Sequence, residues 1–64
     1  MRETELWQRM TSHLGDGYVR TWAHEQVLAD LGGRTVEEAL HAGLPCKRIW
    51  CAVWTALELE PRDR

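Results

Sequence analysis

The second half of the chain repeats apolar and polar residues at the period of an α-helix. From Cys46 onward, apolar side chains recur at spacings of three and four residues, which predicts an amphipathic helix. Its apolar stripe comprises Cys46, Ile49, Trp50, Val53, Trp54 and Leu57. Pro45 suits the first position of a helix, whereas Pro61 cannot continue one. We therefore predict a helix over 46–58.

A shorter helix is predicted immediately before this one. Thr35 followed three residues later by Glu38 is a capping box, in which each side chain bonds the backbone amide of the other residue. Gly43 is placed where a left-handed glycine ends a helix. The two signals predict a helix over 36–42, followed by a tight turn that leads into Pro45.

The N-terminal residues carry a third helical pattern. Leu6, Trp7, Met10 and Leu14 lie on one face of a helix predicted over 5–13, and Thr4 is a suitable N-cap for it. The glycine-rich segment 15–17 predicts a turn, in which Asp16 can cap the helix that follows.

The fourth predicted helix, over 17–31, has apolar residues on two sides. Tyr18 and Trp22 form one row, and Leu28 and Leu31 form another row well around the helix axis. A helix that is apolar on two sides is usually central in its domain. We therefore expect its first half to pack on the first helix and its second half to pack on the third and fourth.

The four patterns together predict an all-α fold. We expect one domain over 1–64, a small orthogonal bundle of four short helices whose last two form a helix-turn-helix-like corner, with a frayed tail at 61–64. The predicted core comprises Leu6, Met10, Trp22, Val27, Leu28, Leu31, Val36, Leu40, Ile49, Trp50, Val53 and Leu57.

Composition limits the classes of function. A net charge of -2 over 64 residues excludes a strongly basic nucleic-acid binder of the histone kind, although it allows a local basic patch. The two cysteines are read as free thiols in a reducing compartment. The sequence has no apolar run of signal-peptide or membrane-spanning length, so we expect a cytoplasmic protein with no membrane partner.

Several short segments resemble one protein family. They are LGGRTVEEAL at 31–40 with the alanine and glycine at 42–43, the tryptophans Trp7 and Trp22, and IWCAVWTALELEPRDR at the end. Over its whole length the sequence resembles an actinobacterial family, domain of unknown function 3046. The resemblance implies a small helical bacterial cytosolic protein, and it implies no activity and no catalytic or binding residues.

A helix-turn-helix is the sharpest functional hypothesis from the residues themselves. Ala39, Gly43 and Ile49 match the small, glycine and branched apolar positions of that motif, and Arg34, Lys47 and Arg48 are candidate DNA contacts. Three observations argue against it. Glu38 stands where the motif prefers an apolar residue, the polar face has few side chains that could read bases, and the net charge over 34–55 is only about +1.

Metal and enzyme chemistry have little support. Cys46 and Cys51 lie about 140° apart around a helix axis, too far for one tetrahedral zinc ion. Helix-dipole and capping roles account for Glu37 and Glu38, and no spacing suggests a catalytic triad. A chain of 64 residues can hardly enclose a substrate pocket of about 300 Å³. We expect no enzyme activity, no cofactor, no metal and no small-molecule substrate.

The leading interpretation is therefore a non-enzymatic protein-interaction module of the bacterial cytosol. Trp54 lies at the margin of its helical stripe, and Tyr18 and Trp22 flank the central helix. Exposed aromatic residues are enriched at binding hot spots. We predict that at least one of these aromatics is partly exposed and contacts an unidentified protein partner, with core packing as the alternative for each tryptophan. DNA binding through the start of the last helix is the alternative.

Overall fold

A computed structural model describes residues 1–64 and shows the predicted all-α fold. The four α-helices are α1 (Glu3–Leu14), α2 (Val19–Glu25), α3 (Val36–His41) and α4 (Cys46–Leu57). Two 3-10 turns complete the chain, at Ala29–Leu31 and Pro61–Asp63. There is no β-strand, and the only strand-like pairing is an isolated bridge between Leu28 and Arg34.

Helix α4 is the hub of the core. It packs against α1, α3 and the first 3-10 turn, whereas α2 packs mainly against α1 and α3. The largest fully buried side chains are Trp50, Leu6, Met10, Leu31, Ile49, Val36 and Val53. The predicted core is therefore largely correct, with Leu40 and Leu57 half-buried at its edge. The smaller residues Val19, Ala23, Ala39 and Ala52 are buried as well, which the sequence did not reveal.

The predicted start and end of α3 are both confirmed. The amide of Glu38 donates to Thr35 Oγ1 at 3.1 Å, and the amide of Thr35 donates to Glu38 Oε1 at 2.9 Å. At the other end, Gly43 has a φ of 82°. The amides of Gly43 and Leu44 donate to the carbonyls of Leu40 and Ala39, the pair of bonds that defines a Schellman motif.

The prediction of one long helix over 17–31 is wrong. Helix α2 ends at Glu25, and the backbone of Gln26 and Leu28 is extended. The amide of Leu28 donates to the carbonyl of Arg34 at 3.0 Å, which closes a loop that contains the first 3-10 turn. The break turns the second apolar row toward α4, so the two rows belong to two separate elements. It also leaves Val27, a predicted core residue, 55% exposed.

The caps expected in the first half of the chain do not form. Helix α1 begins at Glu3, so Thr4 lies inside it, and the N-cap residue Arg2 makes no side-chain bond. Helix α2 likewise has no side-chain cap, because its N-cap residue is Tyr18 in a helical conformation rather than Asp16.

The C-terminal residues fold back onto the bundle. Glu58 ends α4 in a left-handed conformation, with a φ of 54°, and the second 3-10 turn follows. This arrangement differs from the frayed tail expected over 61–64. The turn lies against α4, because the indole of Trp50 donates to the carbonyls of Asp63 and Arg64 at 3.1 and 3.0 Å.

Candidate functional site

The three aromatic residues predicted to bind a partner lie in different environments. Trp22 is only 7% exposed and belongs to the core. Trp54 is half-buried, and its indole donates to the carbonyl of Glu60 at 2.8 Å. Tyr18 is 54% exposed, in the turn before α2. The structure therefore does not gather these three residues into one surface, and Tyr18 is the only one that is openly accessible.

The tryptophans at the surface are already engaged within the chain. The guanidinium of Arg20 lies 4.4 Å from the ring centroid of Trp7, and that of Arg64 lies 5.2 Å from the ring centroid of Trp54. The indole of Trp7 also donates to Glu3 at 3.3 Å. Each guanidinium lies against its ring in a cation–π contact, and the indole N–H groups of Trp7 and Trp54 both have acceptors within the chain.

Two of the three candidate DNA contacts are free at the surface. Lys47 and Arg48 are exposed in the first turn of α4. The only ion pairs of the chain are Arg9 with Glu5 and His24 with Glu37, so neither Lys47 nor Arg48 has an acidic partner.

Arg34, the third candidate DNA contact, has a structural role. Its Nη1 donates to the carbonyl of Leu31 at 3.1 Å, across the loop that the Leu28 bridge closes. A Cβ atom placed on Gly32 would lie 3.0 Å from the same Nη1 atom, so the guanidinium packs directly over this glycine. The segment Gly32–Arg34 thus works as a unit that shapes the loop.

An apolar groove lies beside Val27, where the sequence predicted buried core. Its volume is about 180 Å³. One wall is the segment Gln26–Asp30, and the other wall is the face of α4 that carries Ala52, Thr55 and Ala56. We refer to these residues as the Val27 groove. Sequence reasoning missed it because a continuous helix over 17–31 would have buried Val27.

A second, more polar depression lies between α2 and α3. Its volume is about 420 Å³, and it is lined by His24, Thr35, Glu37, Glu38, His41 and Ala42. His24 Nδ1 lies 3.1 Å from Glu37 Oε1, and the side chain of His24 is 72% exposed. The hydrogen bond to Glu37 and the charge of its carboxylate raise the pKa of His24 above the ordinary value of 6.5. The depression is open to solvent.

No group of three or more histidine, cysteine, aspartate or glutamate side chains is arranged to hold a metal ion. Cys46 and Cys51 are both free and half-buried. None of the helices has the length and apolar character needed to cross a lipid bilayer.

Comparison with known proteins gives one result. The sequence profile of a family described as "Protein of unknown function (DUF3046)" matches residues 1–62 of the 64. The chain belongs to this family. No curated protein and no solved structure matches the chain significantly. Membership in DUF3046 confirms the resemblance seen in the sequence and assigns no role to the Val27 groove or to the cations of α4.

Proposed function

We propose that this DUF3046 domain is a non-enzymatic protein-interaction module of the bacterial cytosol that binds its partner through the Val27 groove. The proposal is based on the exposure of Val27. Val27 is 55% exposed beside an apolar wall of α4, whereas most other large apolar side chains are buried or half-covered. Covering the exposed half of a valine side chain contributes roughly 1 kcal/mol to binding. An apolar side chain at the rim of an apolar groove therefore suits the role of an anchor for a partner.

The position of the groove also supports an interaction surface. Its two walls come from the extended segment after α2 and from α4, which the core fixes relative to each other through Leu28 and Leu31. Binding would therefore need little rearrangement of the backbone. This surface differs from the aromatic one that the sequence suggested, because the tryptophans are occupied within the chain.

DNA binding is the second candidate function, supported by the free cations of α4. Lys47 and Arg48 are exposed in the first turn of a helix that follows a tight glycine turn. Helix α4 contains no acidic residue, so nothing within it offsets their charge. Two cations are few for a duplex, because each phosphate contact adds only part of the affinity.

Affinity capture with matched variants tests the interaction proposal. The tagged chain and two variants, Val27→Asp and Tyr18→Asp, are used to capture proteins from a lysate of the source organism. Val27 and Tyr18 are almost equally exposed, so neither substitution disturbs the core. We expect one captured protein to be lost with Val27→Asp and retained with Tyr18→Asp. Identical capture by all three chains would contradict a partner site at Val27.

An NMR titration tests the DNA alternative. Mixed-sequence duplex DNA is added to the labelled chain at about 50 and 200 mM salt, because phosphate contacts weaken steeply over this interval. DNA binding requires amide shifts at Lys47 and Arg48 that disappear at the higher salt. A spectrum that does not respond to DNA at either salt concentration would remove this candidate.

A further inference from the structure

The segment between α2 and the first 3-10 turn is a short extended stretch that is paired along one edge. Gln26 and Leu28 have extended backbone angles, with ψ values of 114° and 120°. The amide of Leu28 donates to the carbonyl of Arg34 at 3.0 Å, and the two residues form an isolated antiparallel bridge. In such a pair, the N–H and C=O groups of successive residues point to opposite edges. Those of Val27 therefore point away from Arg34.

The main-chain groups of the other edge are available to a partner. The amide of Val27 and the carbonyl of Gln26 make no hydrogen bond within the chain, and both residues are exposed. The carbonyl of Val27 accepts only the side-chain amide of Gln26, at 3.3 Å. That bond is long, so an amide from a partner can replace it. Unpaired N–H and C=O groups along an extended edge are a template for a further strand.

The Val27 groove offers a place for a side chain of such a strand. Its volume of about 180 Å³ is less than the roughly 300 Å³ of the smallest typical ligand pockets, so it suits a side chain rather than a whole small molecule. On α4, Thr55 and Ala56 are exposed and Ala52 is buried. Side chains of an extended segment alternate between its two faces. A partner strand would therefore direct only every second side chain toward the groove.

Asp30 determines the charge of the groove. It is the only charged residue among those that line the groove, and it is exposed and makes no ion pair. A lysine or arginine of the partner would therefore meet a carboxylate for which no cation of the chain competes. Exposed ion pairs add little affinity, but complementary charges favour one partner and one orientation over others.

We propose that the partner presents an extended segment that pairs with the main chain of Val27, places an apolar side chain in the Val27 groove and brings a lysine or arginine to Asp30. The inference rests on the proposed function, because it names the kind of partner that the groove accepts. Strand addition takes affinity from main-chain hydrogen bonds and specificity from alternate side chains. The extended stretch lies between the end of α2 at Glu25 and the 3-10 turn at Ala29, so the pairing is centred on Val27.

Short synthetic peptides of alternating valine and threonine test this occupant, with either lysines or glutamates at their ends. Each peptide is titrated into the labelled chain, and NMR follows the amide shifts and the hydrogen exchange of the amides. We expect the lysine peptide to shift Val27 and Ala56 and to slow the exchange of the Val27 amide. The Leu28 amide is the internal reference, because it is already bonded to Arg34 and its exchange should not depend on the peptide.

N-methylation of the lysine peptide, one residue at a time, separates strand addition from other modes of binding. Successive amides of a strand point alternately toward and away from its neighbour. Methyl groups should therefore weaken binding about tenfold at the residues whose amides face Val27 and be tolerated at the residues between them. Losses that do not alternate along the peptide would contradict main-chain pairing.

Asp30→Asn and Asp16→Asn are matched charge variants. Both aspartates are exposed and make no ion pair, and only Asp30 lines the groove. Asp30→Asn should weaken the lysine peptide about threefold and reduce its advantage over the glutamate peptide, with a smaller effect at high salt. Asp16→Asn should leave both affinities nearly unchanged.

Each other outcome contradicts the proposal in a distinguishable way. Equal affinity for the lysine and glutamate peptides would remove the cation opposite Asp30. Shifts at the groove without slower exchange of the Val27 amide would remove strand addition and leave the Val27 groove as an interaction site. The absence of shifts with either peptide would remove the extended partner, while the capture experiment with Val27→Asp still decides the proposed function. Slower exchange of the Val27 amide at high protein concentration, without peptide, would instead identify a second copy of this chain as the occupant.

Discussion

Two neighbouring regions of the chain differ in how closely the structure follows the sequence pattern. In residues 35–57, α3 begins at its capping box, the turn contains Gly43, and α4 begins directly after Pro45. In residues 17–34, one predicted helix is instead a helix of two turns, an extended segment, a 3-10 turn and a bridged loop.

The difference lies in how far apart along the sequence the interacting residues are that set the ends of each helix. The capping box joins residues three apart, and the Schellman motif joins residues three and five apart. Such signals can be read from a few adjacent letters of sequence. The end of α2 has no side-chain cap, and the extended segment after it is held by the Leu28–Arg34 bridge and by burial of Leu31 beneath α4. The pattern of apolar rows gives no direct sign of these contacts.

The largest expected effect is a difference in stability between variants of two adjacent apolar residues, Val27 and Leu28. A helix over 17–31 would place both in the core, whereas the structure leaves Val27 55% exposed and Leu28 3% exposed. Leu28→Ala should therefore lower the free energy of unfolding by about 2 to 5 kcal/mol. Val27→Ala should change it by less than about 0.5 kcal/mol. Urea denaturation of the two variants measures the difference.

The control for that comparison is Leu28→Val, which keeps most of the buried side chain. Its smaller loss of stability should remain measurable if Leu28→Ala fails to fold. Equal losses in Val27→Ala and Leu28→Ala would contradict the break after Glu25 and restore the continuous helix.

A smaller effect is expected at the turn of the well-predicted region. Gly43 has a φ of 82°, and no atom lies within 4 Å of the position that a Cβ would occupy, so only backbone strain opposes a side chain there. Gly43→Ala should cost about 1 to 2 kcal/mol of stability. Gly17 has the same open surroundings without a left-handed φ, and Gly17→Ala is the matched control. A stable Gly43→Ala variant would contradict this turn.

The candidate surface was less predictable than the fold. The free cations Lys47 and Arg48 were found from the sequence, because a polar stripe on an amphipathic helix is necessarily exposed. The Val27 groove was not found, since it exists only because α2 ends early. The accessibility of Trp54 could not be predicted either, because Glu60 and Arg64 cover it only after the chain reverses at Glu58.

The capping box lies at the junction of the two regions. Its removal should lower the free energy of unfolding by about 1 kcal/mol. Thr35→Ala removes the acceptor for the amide of Glu38, which typically lowers stability by that amount. Thr21→Ala, at an exposed position within α2, removes a hydroxyl that makes no hydrogen bond and should be nearly neutral. Chemical denaturation compares the two midpoints. An unchanged midpoint in Thr35→Ala would mean that the box does not stabilise the start of α3.

The smallest expected effect concerns the ion pair that links the end of α2 to the start of α3. Because Glu37 raises the pKa of His24 in the folded chain, the folded state binds the proton more tightly than the unfolded state does. The resulting stabilisation is complete below the unfolded pKa of 6.5 and is lost as the pH rises through the higher folded pKa. An NMR titration of the His24 ring should give a pKa above 6.5, and Glu37→Gln should lower it. The same His24 pKa in the unmodified protein and in Glu37→Gln would show that this contact does not join the two regions in solution.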